Sequence, residues 1–315
     1  MFGNLIAFLV LIALVGLFGW LTFRAWKAKR WFIKWPGLIL SGLLTLVFVV
    51  VTFLAGKGLA FMYIPPAPAP ALTVEGTPEQ IARGEYLVKI ACVGCHSGTG
   101  DREFPLTGGY TFSEGSPTGD VVVANITPDG VLAGRTDGEL FRAIRYGYGK
   151  GQRAISMTYE PYRQLSDEDT IAIIAFLRSQ EPVTTETNGG DNPNILAAIQ
   201  YGADLLPPPE TTEGIITTPP QGATADYGKY VATFGACRQC HGPDMTGAEA
   251  NIVFPAMPDP RPFVGTLTLE QFVETMRTGR RPDGSELVDM PWENAAAMTD
   301  EDLAALYAYL TAPVQ

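Results

Sequence analysis

Cys92-Val93-Gly94-Cys95-His96 and Cys237-Arg238-Gln239-Cys240-His241 are two copies of one pattern. Together they use every cysteine and every histidine in the 315-residue chain. C-x-x-C-H sets two thiols one helical turn apart, a spacing that can form thioethers to the two vinyl groups of one porphyrin. The next residue then carries its imidazole to the iron. A zinc site would want four converging ligands, and each cluster supplies three. A redox dithiol needs no histidine immediately after it. The pattern therefore predicts haem c attached at Cys92, Cys95 and His96 and again at Cys237, Cys240 and His241, two haems in all.

The sequence around each motif repeats as well. Arg83-Gly84-Glu85-Tyr86 leads into Cys92, and Tyr227-Gly228-Lys229-Tyr230 leads into Cys237. Thr77, Pro78 and Gln80 have the form of a helix start, with a capping Thr, Pro at the first position and Gln three on from the cap. Gly138 to Tyr146 and Leu269 to Gly279 match as helical segments. Ser166-Asp167-Glu168-Asp169 and Thr299-Asp300-Glu301-Asp302 each cap an apolar helix. Leu303, Leu306, Tyr307 and Leu310 fall on one face of the second of these. Gly84 and Gly228 are expected where a terminal helix crosses the helix that leads into each motif.

With two histidines in the chain, neither iron can take a second imidazole from it, so methionine is the expected sixth ligand. Between His96 and residue 182 the one methionine is Met157. The second half offers Met245, Met257, Met276, Met290 and Met298. Met157 lies nine residues before Ser166, and Met290 lies nine before Thr299, which selects Met290. Met276 reads as core filler, and Met257 and Met298 remain alternatives to Met290. A thioether favours Fe(II), so both haems should be oxidising carriers with no open iron position.

Residues 1–60 hold six basic side chains and no acidic ones, while the remainder carries 16 basic against 33 acidic. Leu5–Phe23 and Pro36–Gly56 are uncharged apolar runs long enough to span a bilayer. Between them, Arg24 to Trp35 is basic and interleaved with Trp26 and Trp31. This reads as a transmembrane helical hairpin with its loop in the cytoplasm. The following chain is then on the outer, periplasmic side of the cell membrane, where haem c is attached. A cleaved signal peptide fits poorly, since the first run lacks a positive n-region. The acidic remainder suits basic protein partners and not nucleic acid.

The expected organisation is all-α: a hairpin over 1–62, a Pro-rich stem over 63–76, one haem domain over 77–182, a linker over 183–222 and a second haem domain over 223–315. The C-x-x-C-H motifs, the later methionines and the capped terminal helices together resemble the cytochrome c family, in its membrane-anchored dihaem members. Asn125-Ile126-Thr127-Pro128-Asp129 followed by Phe141-Arg142-Ala143-Ile144-Arg145 is similar to the cytochrome subunits of alcohol and aldehyde dehydrogenases. The two spans ahead of two haem domains resemble the dihaem subunit of cbb-type oxidases. Thr158 after Met157 departs from the Pro common in the family.

The resemblance implies a small helical fold around each haem and a role in relaying single electrons. Partners would be a larger membrane redox complex (quinol-oxidising complex, terminal oxidase or dehydrogenase) and a soluble electron carrier. No catalytic activity of its own is expected. A freestanding tethered shuttle is the alternative. A dihaem peroxidase would call for a spare histidine ligand that the chain lacks.

Overall fold

The computed structural model describes residues 1–98, 102–111, 114–149, 151–186, 189–206, 208–212, 214–250 and 255–314. In chain order the helices are α1 (Phe2–Trp26), α2 (Trp31–Tyr63), α3 (Pro78–Ala91), α4 (Val93–His96), α5 (Asp137–Tyr146), α6 (Ile155–Tyr159) and α7 (Asp167–Ser179). They continue as α8 (Ile195–Gly202), α9 (Ala225–Phe234), α10 (Cys237–His241), α11 (Arg261–Val264), α12 (Leu269–Thr278), α13 (Trp292–Ala296) and α14 (Asp300–Thr311). Strand among the described residues is confined to two-residue pairs.

The chain divides into two compact units. The smaller comprises Met1–Pro65, Ser113–Val121 and Asp191–Pro208. Its α1 and α2 are long and apolar enough to cross a membrane. They pair antiparallel, with Phe18 stacked on Phe48 at 5.2 Å between centroids. Thr22 Oγ1 donates to Ser41 Oγ at 3.0 Å, a polar contact between small residues that lets the two backbones lie close. The basic segment is more helical than the expected turn over 24–35. Only residues 27–30 separate the helices, and Pro36 sits inside α2. The same unit holds α8, from the segment expected as linker, and the short pairing of Gly119–Asp120 with Asn192–Pro193.

The larger unit comprises Pro66–Phe112, Val122–Gly190 and Pro209–Gln315. Its first half is built on α3 crossing α7, and its second half on α9 crossing α14. The crossings are the same to atomic detail. A Cβ on Gly84 would stand 1.9 Å from the Ala172 carbonyl oxygen, and one on Gly228 would stand 1.9 Å from that of Ala305. Only glycine allows either approach. Thr77 caps α3 and Thr299 caps α14 by accepting a backbone N–H, and Thr77 with Gln80 closes a full capping box.

Part of the segment expected as a stem belongs to this unit. Val74 N–H donates to Asp137 Oδ2 at 2.9 Å, and Gly138 leaves room for the Pro70 carbonyl. Leu72 and Val74 pack on the apolar core.

The two halves lock together through an exchange of tyrosines. The Tyr230 hydroxyl of α9 donates to Asp169 Oδ2 at 2.7 Å and accepts from the Ser166 N–H at 3.1 Å, at the start of α7. Reciprocally, the Tyr86 hydroxyl of α3 donates to the Asp302 carboxylate and accepts from the Thr299 N–H at 3.0 Å, at the start of α14. Each half thus satisfies N-terminal donors and acceptors of the other's terminal helix, which would otherwise be orphaned on burial.

Candidate haem sites

Each C-x-x-C-H motif follows the glycine-bearing helix of its half. In the first, α3 runs nearly straight into the motif: the Cys92 N–H donates to Val88 O at 2.9 Å and the His96 N–H to Cys92 O at 2.9 Å. In the second, α9 stops at Phe234. Ala236, with a left-handed φ of 56°, then starts α10.

The imidazoles of the two motifs are held alike. His96 Nδ1 lies 2.8 Å from the Ala124 carbonyl, and His241 Nδ1 lies 2.8 Å from that of Pro258. A carbonyl only accepts, so Nδ1 carries the proton and Nε2 keeps its lone pair free for a metal. The loop that leaves each histidine closes the same way, with Gly108 N–H on His96 O and Gly247 N–H on His241 O, both at 2.9 Å. Asn125 shapes the first carbonyl's turn by accepting the Thr127 N–H at 2.9 Å on its own side-chain oxygen. Burial lowers the His96 pKa, which keeps its ring neutral and able to ligate.

Burial also pushes the Cys92 and Cys237 thiols up to about 12. A reactive dithiol needs the opposite shift. Two thiols and one imidazole with Nε2 free are the donor set that covalent haem requires, and in this respect the residues fit the group.

The methionines separate by location. Met245, Met276 and Met298 are buried in the apolar core. Met298 also approaches the Gly235 backbone, where an added Cβ would meet its Cε at 2.4 Å. Met257 pairs with Ala248 one residue before Pro258, so its backbone lies beside the carbonyl that holds His241. Met157 and Met290 are only partly buried and pack against the core from its edge.

Their surroundings correspond. Gly147 ends α5 at φ 63°, and its missing Cβ makes room for the backbone of Thr158, next to Met157. Gly279 ends α12 at φ 68° and makes the same room for the ring of Trp292, two residues after Met290.

Sequence reasoning missed the group between the motifs. Glu160 follows α6 and lies in the electrostatic neighbourhood of Gln239, a residue of the second motif. Its electrostatic influence also reaches Cys95 of the first motif and Cys240 of the second. Its Oε2 is buried with no hydrogen-bond partner, and burial pushes the carboxyl up to about 7. Nearby, the Arg102 side chain donates to the Asn294 side chain, and Glu210 joins Arg163 to Arg238 through its backbone and carboxylate oxygens. No local pattern announces these contacts, since each joins residues far apart in sequence.

The sequence pattern of the family described as cytochrome C oxidase, cbb3-type, subunit III matches residues 79–177 and 223–310, one stretch for each half of the larger unit. The gluconate 2-dehydrogenase cytochrome c subunit of Pantoea cypripedii is 30% identical over 52% of this chain and 38% of its own length. The cytochrome c subunit of the quinone alcohol dehydrogenase of Gluconacetobacter polyoxogenes is 37% identical over 28% of this chain and 21% of its own. The fructose dehydrogenase cytochrome subunit of Gluconobacter japonicus is 35% identical over 28% and 21%. The similarity thus spans well under half the length of each of these relatives.

Proposed function

Given that the chain belongs to the family of cytochrome C oxidase, cbb3-type, subunit III, a family of c-type cytochromes that bind haem covalently, we propose that it is a membrane-anchored dihaem cytochrome relaying single electrons for a larger redox complex. The observation that carries the reading is the doubled site. Both motifs sit in equivalent places of one folded unit, each with its imidazole Nδ1 engaged by a backbone carbonyl, which leaves Nε2 as the nitrogen for iron.

In this reading Cys92 and Cys95 hold one haem, with His96 and Met157 as its axial ligands. Cys237 and Cys240 hold the other, with His241 and Met290. The glycines that end α5 and α12 lie against Thr158 and Trp292, one and two residues after Met157 and Met290, and support that choice among the methionines. When bound, the haem supplies the one-electron chemistry. The chain's own residues position it, exclude water from it and fix its histidine tautomer. Both motifs lie within the larger unit, and in this reading the electron passes from one haem to the other inside it. The hairpin α1–α2 anchors the protein, with the haem-binding unit on the periplasmic side. The cytochrome subunits of gluconate, alcohol and fructose dehydrogenases among its relatives favour a sugar or alcohol dehydrogenase as the complex it serves.

Intact mass of the purified protein tests the count, since two haems should remain after denaturation and one after Cys92→Ala with Cys95→Ala, which removes both thioethers of the first motif. Met157→Ala and Met290→Ala should each lower the midpoint potential of one haem while leaving it attached. Unchanged midpoints in both variants would remove the ligand assignment. Gentle solubilisation should carry the haem signal with a dehydrogenase or oxidase activity, and migration as a lone chain would make the protein a tethered shuttle.

A further inference from the structure

We propose that α8 and the turn after it, residues 195–206, lie in the boundary between headgroups and acyl chains of the outer leaflet, as a third membrane-embedded element. This rests on the reading of α1 and α2 as spans. Every observation it uses lies within the smaller unit.

Ile195–Gly202 contains no charge and a single strongly polar side chain, Gln200. The helix runs antiparallel along the outer part of α2. A Cβ on Gly58 would stand 1.7 Å from the Ala198 carbonyl oxygen, and one on Gly202 would stand 1.8 Å from that of Leu54. These contacts are four residues apart on both helices. Such backbone contact through small residues is how helices associate within a bilayer. As α8 advances it therefore passes from the end of α2 towards the middle of the span.

Its start is pinned at the level where both long helices end. Asn4, buried near the start of α1, donates to Tyr63 Oη at 2.8 Å and to the Pro193 carbonyl at 2.7 Å. Its far end carries a charge pair, Lys57 Nζ to Asp204 Oδ2 at 2.5 Å. Lys57 interrupts the otherwise uncharged outer part of α2, and a cation entering the apolar slab is expected to have such a partner.

The depth follows from length. At 33 residues α2 is about 50 Å long against a hydrocarbon core of about 30 Å. Its last turns, to which α8 is bound, therefore belong in the outer interface. The faces of α8 and its turn that point away from α2 leave Leu196 and Leu205 48% and 49% exposed. These side chains continue the apolar exterior of α1 and α2, which on the same reading is covered by lipid. The occupant assigned to this face is therefore phospholipid.

The test uses the haem-loaded full chain in vesicles of phosphatidylethanolamine and phosphatidylglycerol, a tenth of the lipid carrying a diazirine near the head of one acyl chain. Leu196→Cys and Leu205→Cys are treated with a charged, membrane-impermeant maleimide beside two controls, Ile215→Cys for water and Leu40→Cys for the span. Labelling at 196 and 205 should be at least tenfold slower than at 215, and slower at 205 than at 196. Photolysis should place lipid adducts within 195–206. Labelling of 205 at the rate of 215 would overturn the proposal. Protection without lipid adducts would also overturn it, by showing that protein covers this face. Fast labelling at 40 would instead show that the span reading itself has failed, and the inference would fall with it.

Discussion

The two halves of the larger unit share a plan and differ in how they finish it. Asp169 and Asp302 occupy the same position, three residues after the cap of the terminal helix, and both are buried. Asp169 is held by Arg83 through two bonds of 2.8 and 2.7 Å. In the second half the residue in the place of Arg83 is Tyr227, which lies in the electrostatic neighbourhood of Asp302, and the Tyr86 hydroxyl donates to Asp302. What recurs is the glycine crossing and the exchanged tyrosine; the cation does not. The crossing is therefore the requirement of the fold, and the carboxylate needs only donors, charged or neutral.

Gly84→Ala and Gly228→Ala test that equivalence most severely. Each puts a methyl group where a carbonyl oxygen already stands. The intrinsic helix gain of about 1 kcal/mol for alanine over glycine should be overwhelmed by an overpacking cost of about 3 kcal/mol. Thermal unfolding of the haem-loaded protein should show equal losses, and unequal losses would break the comparison.

Asp169→Asn and Asp302→Asn should then separate the halves. The first leaves the Arg83 charge without its partner and should cost about 2–3 kcal/mol. The second leaves the neutral Tyr86 hydroxyl facing an amide and should cost about 1 kcal/mol in urea unfolding.

Glu160 links the halves and makes stability depend on pH. Its carboxyl rises from 4.5 to about 7 on folding, so between those values the folded form keeps a proton that the unfolded form has lost. Stability should fall as pH climbs from about 4.5 to about 7 and stay lower above that. In Glu160→Gln this slope should vanish, with a gain at pH 8 of about 2 kcal/mol after allowing for solvent access. Parallel pH profiles for the two proteins in urea titration would show that the carboxyl is ionised throughout.

The smallest expected effect lies at Ala236. Gly84 precedes Cys92 by eight residues and Gly228 precedes Cys237 by nine. The extra residue is absorbed where Ala236 takes its left-handed φ. Ala236→Gly should gain about 1 kcal/mol, while glycine at Ala91, which is helical, should lose a similar amount. Calorimetry of the two variants would sharpen the contrast.

Much of this was legible beforehand. The haem motifs, the capped helices, the crossing glycines and the paired apolar helices are local signals, because thioether spacing, capping and apolar periodicity each act within a few residues. α7 and α14 start at their capping patterns, and α12 falls within the expected Leu269 to Gly279. The repeat also displayed Tyr86 and Tyr230, though their partners lie in the opposite half. Within the expected linker over 183–222, the short helix expected at Asn194 to Leu206 is present as α8, but its packing along α2 is carried by no local pattern.

The sequence by itself determined the doubled C-x-x-C-H pattern and where the capped helices begin, since those depend on side-chain chemistry at fixed short spacings. Only the tertiary structure decided that each tyrosine serves the other half's helix, that Glu160 stands between the two motifs and that α8 lies along α2. These depend on which surfaces meet after the chain has folded back on itself, a property of packing that no short stretch of residues carries.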